Sequence, residues 1–318
     1  MSSEPSRRLD GKVALVTGSG GGIGKQYALL LARHGARVVV NDIGLRAGAS
    51  AEAVAKEIRA AGGEAVASTQ SATWDGAEEL VASAGDAYGQ LDILINNATF
   101  TRLGDLWDYP QEDWDSTLAV NLKGYFAMIR YAAPRLAAQG GGVIVNVSSA
   151  SGLGHASHTA YGTAKEGVIG LTRSVARELG HFGIRCNAVR PMAAGQSAGE
   201  FVKRAARWSA LVKGTMSPRI YALQQQLLHT PERLSTDKAA PLVAWLCTDA
   251  AGNVNGQTFE LHGDTVTRLS EPEPVRSMSH EGGWDLDLLD RWAPENLVDG
   301  LQNRFLLEGI EGLPSITR

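Results

Sequence analysis

Tyr161 and Lys165 stand four residues apart in the segment AYGTAK, residues 160–165. This spacing places both side chains on one face of a helix. A phenol has a pKa of about 10, so it is a weak base near neutrality unless a nearby cation stabilises the phenolate. Lys165 can supply that cation, and the chemistry open to the pair is acid–base catalysis by a phenol. Such pairs are common on helix surfaces, so the surrounding sequence decides what this one means.

A glycine-rich segment, TGSGGGIG at residues 17–24, joins an apolar run to a helical pattern that begins near Ile23. Glycine lets the chain turn sharply and approach a pyrophosphate, and a helix N-terminus offers unpaired N–H groups and a positive dipole end. The spacing is GxxxGxG through Gly18, Gly22 and Gly24, because Ile23 occupies the third glycine position of the usual GxGxxG pattern. We expect a dinucleotide cofactor to bind at this turn.

Asp42 follows the second apolar run, in VVVND, where a carboxylate would reach the ribose hydroxyls of an adenosine. It would repel a 2′-phosphate, and the turn carries no Arg or Lys before Gly22 to compensate. The sequence therefore favours NAD over NADP. Arg37 and Arg46 lie nearby and leave a minor role for NADP open.

These residues are separated by short β-branched runs that alternate with longer helical patterns, which is typical of βαβ units on a parallel sheet. We predict an α/β fold of the Rossmann type, with a doubly wound parallel sheet of seven strands flanked by helices and a C-terminal extension. The predicted strands are Val13–Thr17, Arg37–Asn41, Ala65–Ser68, Ile93–Asn96, Val143–Val147, Arg185–Val189 and Thr258–Leu261. The predicted helices are Ile23–His34, Ser50–Ala61, Gly76–Tyr88, Gln111–Gln139, Thr159–Phe182 and Asp237–Thr248.

The predicted domain organisation is one Rossmann-fold domain over residues 1–264 and a C-terminal extension over residues 265–318. Residues 193–235 follow the carboxyl end of a strand, where open α/β sheets bind their ligands. They are interpreted as a substrate lid, with a long connection as the alternative. The extension contains the partly amphipathic segments LDLLDRW and LVDGLQNRFLL, which would cover a neighbouring subunit or pack on the same chain.

Composition excludes several classes of function. The 318 residues carry a formal net charge of −4, so no basic field for nucleic acid or an anionic membrane is expected. The two cysteines, Cys186 and Cys247, are far apart and indicate neither a disulfide framework nor a metal site. The polar N-terminus has no apolar signal core, and no run approaches the roughly 20 apolar residues of a membrane span. We expect a cytoplasmic protein with a small-molecule substrate.

The motifs occur in one order: TGSGGGIG, NNA at residues 96–98, Asn121, the serines that follow a buried strand, and then Tyr161 with Lys165. In this order they resemble the classical short-chain dehydrogenase/reductase family over residues 9–263. The resemblance implies a homo-oligomer, a tetramer or a dimer, in which Tyr161 exchanges a proton with the substrate oxygen. It implies the catalytic residues Asn121, Ser149, Tyr161 and Lys165. It also implies cofactor contacts from Gly18, Gly22, Ile23, Gly24, Asp42, Asn96, Ala98, Tyr161, Lys165 and Pro191.

Either of two adjacent serines could be the catalytic one. Aligning the family's Ser-x-x-Gly pattern through Gly152 selects Ser149, although the loop to Tyr161 is then one residue short, and Ser148 stays open. The chain departs from the family at Thr99 and Met192, where glycine is usual, and it lacks an Asp after the third strand. Thr99 is expected to reshape the space beside the nicotinamide.

The segments VVVNDIG and NVNGQTFELHG resemble the dehydrogenase units of peroxisomal multifunctional enzymes, which act on hydroxyacyl-CoA or steroids. The first hypothesis is NAD-dependent interconversion of a secondary alcohol and a ketone on a moderately large, mostly apolar substrate such as a steroid or terpenoid. Trp107, Trp208 and Met192 would line its pocket or pack elsewhere. The alternative is a 3-hydroxyacyl-CoA, with Lys203, Arg204 and Arg207 as candidate contacts. A hypothesis from another class is a non-catalytic NAD(H) sensor or scaffold.

Overall fold

The computed structural model describes residues 7–192 and 235–303, together with residues 211, 222 and 305. In this part of the chain eight strands form one sheet. The strands are β1 Val13–Val16, β2 Arg37–Asn41, β3 Ala65–Ser68, β4 Ile93–Asn96, β5 Gly142–Val147, β6 Ile184–Met192, β7 Thr258–His262 and β8 Thr265–Arg268. Their spatial order is β3-β2-β1-β4-β5-β6-β7-β8.

The first seven strands pair in parallel and confirm the predicted doubly wound sheet. The predicted number of strands was one too low, because β8 turns back and pairs antiparallel to β7, with Leu261 opposite Val266. This four-residue strand is mostly exposed and lacks the continuous apolar run of a doubly buried strand, so the apolar pattern did not reveal it. The segment interpreted as an extension therefore begins with an edge strand of the sheet.

Helices cover both faces of the sheet. In the described residues they are α1 Gly22–Arg33, α2 Ala51–Ala60, α3 Trp74–Tyr88, α4 Gln111–Leu118, α5 Gly124–Ala138, α6 Thr159–Leu179, α7 Ala240–Leu246 and α8 Leu286–Asn296. Side chains alternate along β1. Ala14 and Val16 therefore pack into the core on the side of α1, α2 and α7, whereas Val13 and Leu15 pack into the core on the side of α3, α5 and α6.

The predicted long helix at residues 111–139 contains a π-helical turn, Ala119–Lys123, between α4 and α5. π-Turns inside helices are rare and occur frequently at functional sites. Asn121 lies in this turn and its side chain is fully buried. Hydrophobic periodicity cannot locate such a turn, because one widened turn barely changes the apolar pattern.

The predicted substrate lid lies almost entirely outside the described residues, and so do its candidate side chains Lys203, Arg204, Arg207 and Trp208. Beyond β8, Glu271 forms an ion pair with Arg173 of α6 at 3.0 Å. The helix α8 follows, and none of its own residues is buried. Among the described residues, no helix has the length and apolar character needed to cross a bilayer.

Candidate active site

The predicted site residues come together at the carboxyl edge of the sheet. β1 leads into the glycine turn, β4 into Asn97, Ala98 and Thr99, and β5 into Ser148 and Ser149. In the spatial order, β1 and β4 are parallel neighbours although they are not consecutive in sequence, so successive strands are added outward in opposite directions from this pair. A crevice forms at such a switch point, and open α/β sheets bind their ligands there.

The glycine turn lies tightly against the loop that follows β4. Gly18 has a φ of +63°, and a Cβ at this position would stand 2.7 Å from the Ala98 Cα atom. A Cβ on Gly24 would stand 2.4 Å from both the Gly18 carbonyl oxygen and the Asn97 Nδ2 atom. By contrast, Gly22 has open space beside it, and α1 begins there without an acidic residue in its first turn. The turn is therefore a backbone cradle with a free helix N-terminus, which suits a pyrophosphate.

Replacing Gly24 with alanine is expected to lower the free energy of unfolding by about 2–3 kcal/mol and to weaken binding of the dinucleotide, because the new methyl group meets backbone atoms that cannot move away freely. Gly170→Ala is the matched control, since Gly170 is also helical but has open space beside it. It should raise the stability by about 0.5–1 kcal/mol. Denaturant unfolding of both variants measures the two changes in the free energy of unfolding. Equal changes in the two variants would contradict the close backbone packing at Gly24.

Asp42 is buried and its carboxylate is oriented by the glycine turn. Oδ2 accepts a hydrogen bond from the Gly20 N–H at 3.1 Å, and Oδ1 accepts one from the Gly44 N–H at 2.8 Å. Arg46 reaches Oδ2 at 3.8 Å. Arg37 lies at the start of β2, at the opposite edge of the sheet, where its guanidinium stacks 5.2 Å from the Tyr88 ring centroid. Of the two arginines considered for NADP, only Arg46 is near the predicted ribose site.

The two asparagines of the NNA segment have different hydrogen-bond partners. Asn96 is fully buried and donates from Nδ2 to Asn146 Oδ1 at 2.9 Å, which joins β4 to β5. Asn97 donates from Nδ2 to the carbonyl oxygens of Thr17 and Gly18, both at 2.9 Å. The side chain that supports the glycine turn is therefore Asn97, which the sequence analysis did not single out. A cofactor contact by Asn96 stays a prediction.

Tyr161 and Lys165 lie on α6 with the Lys165 Nζ atom 5.6 Å from the Tyr161 ring centroid. Lys165 is buried and donates from Nζ to the Val147 carbonyl oxygen at 2.8 Å and to the Tyr125 hydroxyl at 3.1 Å. Tyr125 also donates to the Val147 oxygen at 3.1 Å. The helical spacing thus brings the cation beside the phenol as predicted, and Tyr125 is an additional polar contact that no motif indicated.

Burial and hydrogen bonding act in opposite directions on the two ionisable groups. Burial raises the pKa of Tyr161 above its ordinary value, while hydrogen bonds from Thr99, Ser149 and Thr101 lower it. Desolvation lowers the pKa of Lys165 from 10.5 to about 7. Perturbed values of this kind concentrate at functional sites, because a catalytic acid or base works best when its pKa is near the working pH.

The two adjacent serines point to different partners. Hydrogen bonding by Ser149 lowers the pKa of Tyr161, and the Ser149 Oγ atom accepts the Ser151 N–H at 3.2 Å. Ser148 is buried and donates from Oγ to the Lys165 carbonyl oxygen at 2.6 Å. The hydroxyl that faces the tyrosine is thus the one on Ser149, and Ser148 supports the backbone of α6.

Asn121 contacts the loop that follows β4. Its Oδ1 atom accepts a hydrogen bond from the Thr99 hydroxyl at 2.7 Å. Hydrogen bonding by Thr99 and Thr101 lowers the pKa of Tyr161. The sequence analysis did not anticipate this effect, although the departure from the family's glycine at position 99 was the available signal. Pro191 and Met192 end β6 at the same edge, each partly buried.

Two loop histidines border the site. His158 packs edge-on against Tyr161 with the ring centroids 6.4 Å apart, and its Nδ1 atom is 2.8 Å from the Ser151 hydroxyl oxygen. Burial lowers the pKa of His155 and His158 to about 4, so both imidazoles are neutral near neutrality. Trp107 lies in the loop before α4, in a short 3₁₀ turn, and is half-exposed.

A family model described as short chain dehydrogenase matches residues 12–201. The hydroxyacyl-CoA dehydrogenase ChsB1 of Mycobacterium tuberculosis is 38% identical over 311 residues, which are 93% of this chain and 89% of that enzyme. The peroxisomal multifunctional enzyme type 2 of Drosophila melanogaster is 37% identical over 275 residues, or 84% of this chain but only 42% of that longer protein.

Solved structures show the same fold. A short chain dehydrogenase from Mycobacterium avium has a TM-score of 0.72 at 35% identity and covers 89% of this chain and 93% of its own. A 7α-hydroxysteroid dehydrogenase in complex with NADH and 7-oxo glycochenodeoxycholic acid has a TM-score of 0.68 at 33% identity, with 83% of this chain and 97% of that chain covered.

Proposed function

This chain belongs to the short-chain dehydrogenase family and is an oxidoreductase acting on CH–OH groups, and from that premise we propose that it interconverts a secondary alcohol and a ketone with NAD(H), using Tyr161 as the acid/base. The observation that carries the proposal is the cluster at Tyr161. A buried lysine nitrogen lies 5.6 Å from the ring centroid, and hydrogen bonding by the hydroxyl groups of Thr99, Ser149 and Thr101 lowers the pKa of the phenol. A solvated surface pair would have neither the buried amine nor these hydroxyl groups.

The proton transfer follows from these contacts. In alcohol oxidation the substrate hydroxyl loses its proton to the Tyr161 oxygen, and in ketone reduction Tyr161 returns it. Ser149 would hydrogen-bond the substrate oxygen beside Tyr161, because its hydroxyl already faces the phenol. The protonated form of Lys165 stabilises the phenolate by charge. Asn121 would hold the water chain behind Lys165 that the family resemblance implies.

The residues present fit a dinucleotide. The glycine cradle would hold the pyrophosphate, and it requires glycine because a Cβ at Gly18 would clash with Ala98 and one at Gly24 with the Gly18 carbonyl oxygen, so either would distort the turn. The buried Asp42 carboxylate would hold the adenosine ribose, and Pro191, at the end of β6, the nicotinamide side. When bound, the nicotinamide supplies the hydride acceptor or donor of the reaction.

Asp42 is proposed to select NAD over NADP. Asp42→Ser is expected to reduce the preference for NAD about 10- to 100-fold, because it removes the charge that would repel a 2′-phosphate and leaves Arg46 to attract one. The ratio of kcat/KM for the two cofactors measures this. The control is Asp86→Ser, an exposed carboxylate on α3, which should leave the ratio unchanged. An Asp42→Ser ratio equal to that of the parent would contradict the assignment.

For the substrate, we propose a moderately large, mostly apolar secondary alcohol of steroid or terpenoid type. One structural relative named above is a steroid dehydrogenase. A second candidate is a 3-hydroxyacyl-CoA, which is favoured by a specific observation: the M. tuberculosis hydroxyacyl-CoA dehydrogenase is similar over 93% of the chain. Both candidate substrates require the same proton transfer at Tyr161. They differ only in whether the mouth of the pocket must accommodate a steroid or terpenoid skeleton or a CoA group.

NADH formation from NAD⁺ should be measured with matched substrates: steroid alcohols, terpenoid alcohols, 3-hydroxyacyl-CoA esters and the same 3-hydroxyacyl groups on a short thiol. Turnover of the steroid or terpenoid alcohols supports the first candidate. Turnover of the CoA ester with little of the short thioester supports the second. NADH binding without turnover on any substrate would contradict both and favour a non-catalytic sensor.

The proposal also includes a cytoplasmic homo-oligomer, a tetramer or a dimer. Phe126 of α5 supports it, because this aromatic side chain remains 45% exposed while its ring stacks on Trp74 at 5.9 Å between centroids. Exposed aromatic surface of this kind is enriched at protein interfaces. Light scattering of the purified chain tests it, and a monomer at micromolar concentration would contradict it.

A further inference from the structure

The Lys165 side chain is held by two hydrogen bonds. Its Nζ atom donates to the Val147 carbonyl oxygen at 2.8 Å and to the Tyr125 hydroxyl at 3.1 Å. The Tyr125 ring lies beside the same nitrogen, with its centroid 4.7 Å away. At the backbone end of the residue, Ser148 donates from Oγ to the Lys165 carbonyl oxygen at 2.6 Å. Groups from α5 and from the end of β5 therefore fix both ends of this lysine.

The second partner of Tyr125 decides which way its hydrogen bond to the lysine runs. A carbonyl oxygen only accepts, so the Val147 oxygen takes the single hydroxyl proton of Tyr125, at 3.1 Å. The hydroxyl oxygen then presents a lone pair to Lys165, and the lysine is the donor. An ammonium group has three N–H bonds. Two of them are engaged, and the third has no partner in the part of the chain that the structure describes, so it remains for Tyr161 or a bound cofactor.

Tyr125 is placed beside the lysine by the start of α5. It lies four residues after Asn121, just beyond the π-helical turn, and it is only 2% exposed. A Cβ on the preceding Gly124 would stand 2.4 Å from the Ala72 carbonyl oxygen, so α5 begins in close backbone contact with the loop after β3. Burial raises the pKa of Tyr125, which therefore stays a neutral phenol. Its hydroxyl acts as a hydrogen-bonding group and not as an acid or base.

We propose that Tyr125 is a positioning residue, whose hydroxyl favours the charged form of Lys165 and leaves one N–H of the ammonium for the reaction. A hydrogen bond from a charged donor is roughly twice as strong as one from a neutral donor, so Tyr125 stabilises the ammonium more than the amine. Burial lowers the pKa of Lys165 to about 7, so near neutrality a small preference decides which form prevails. The inference rests on the proposed function, since only a reaction that needs a charged lysine beside Tyr161 would use this contact.

Titratable groups face the Lys165 nitrogen from two of the described elements. Tyr161 lies on the same helix with its ring centroid 5.6 Å away, and Tyr125 lies on α5. The group from β5 is the neutral Val147 carbonyl. His158 packs against Tyr161, and burial lowers its pKa to about 4, so it is neutral near neutrality. A substitution that removes only the Tyr125 hydroxyl keeps all the other groups, so a change in the titration of Lys165 reports that hydroxyl.

The test measures the titration of Lys165 by NMR in protein that carries isotopically labelled lysine, with the Lys165 signal identified by its absence in Lys165→Met. Tyr125→Phe removes only the hydroxyl, and it should fold, because the Val147 oxygen keeps the hydrogen bond from Nζ. We expect the pKa of Lys165 to fall by about one unit, a tenfold smaller charged fraction above neutral pH. Tyr131→Phe is the matched control on the same helix, where the ring lies beside Arg130, and it should leave the titration unchanged.

An unchanged pKa of Lys165 in Tyr125→Phe would overturn the proposal. A raised pKa would overturn it too, because the phenol would then be donating to the neutral amine. This readout needs no substrate.

In a second readout, kcat for alcohol oxidation by Tyr125→Phe should fall about tenfold at about pH 8 but only about twofold at about pH 6, where most of the parent lysine is charged. An active parent enzyme and an equal loss at both pH values would overturn the role of Tyr125 alone. A parent without turnover on any alcohol would count against the proposed function instead.

Discussion

Replacing Tyr161 with phenylalanine is expected to lower kcat about 10³-fold, within the range of 10²- to 10⁴-fold that general acid–base catalysis contributes. The substitution removes one oxygen atom from a partly buried ring and leaves no partner stranded, because the side chains whose hydrogen bonding lowers the pKa of Tyr161 are hydroxyl groups, which can rotate to other acceptors. The glycine turn and Asp42 are untouched, so the affinity for NADH should stay within about twofold of the parent.

The measurement is steady-state turnover combined with NADH fluorescence titration on the same preparation. Tyr88→Phe is the matched control, because Tyr88 ends α3, beside Arg37 at the opposite edge of the sheet. It should leave both turnover and NADH affinity unchanged. Turnover of Tyr161→Phe at more than a tenth of the parent rate would mean that another group transfers the proton.

Lys165→Met is expected to abolish most of the turnover, by about 10²- to 10³-fold, and at the same time to stabilise the protein by about 3 kcal/mol below neutral pH. Methionine fills a similar volume without a charge. Its introduction leaves no hydroxyl without a partner, because Tyr125 still donates to the Val147 oxygen. The parent keeps the amine despite its cost in stability, which is the trade-off expected of a functional group in a buried site.

The gain in stability should depend on pH in a defined direction. The pKa of Lys165 falls from 10.5 to about 7 on folding, so the unfolded chain binds more protons between those values. The cost of burying the amine is therefore full below about pH 7 and shrinks as the pH rises toward 10.5. The advantage of Lys165→Met over the parent should thus be larger at about pH 6 than at about pH 9.

Urea unfolding of the parent and the variant at the two pH values measures this difference. Lys56→Met, an exposed lysine on α2, is the control and should show no pH-dependent gain. A Lys165→Met protein that is less stable than the parent at both pH values would mean that the two hydrogen bonds from Nζ outweigh the desolvation of the charge.

The sequence alone determined most of the framework. Short apolar runs located the seven parallel strands, because a strand buried on both faces must be apolar along its whole length. The GxxxGxG spacing and Asp42 predicted a dinucleotide site on the first two strands, and the four-residue spacing placed Tyr161 beside Lys165. These features are local, so residue type and spacing carry the information.

The remaining features were decided only by the tertiary structure, because these features depend on which side chains meet across separate elements. The edge strand β8 is mostly exposed and has no apolar pattern to reveal it. The partners of the two adjacent serines are set by packing: Ser148 donates to the Lys165 carbonyl oxygen, whereas hydrogen bonding by Ser149 lowers the pKa of Tyr161. The hydrogen bond from Thr99 to Asn121 joins a loop to a π-turn. Sequence spacing cannot supply such contacts, because they are made by packing between distant segments of the chain.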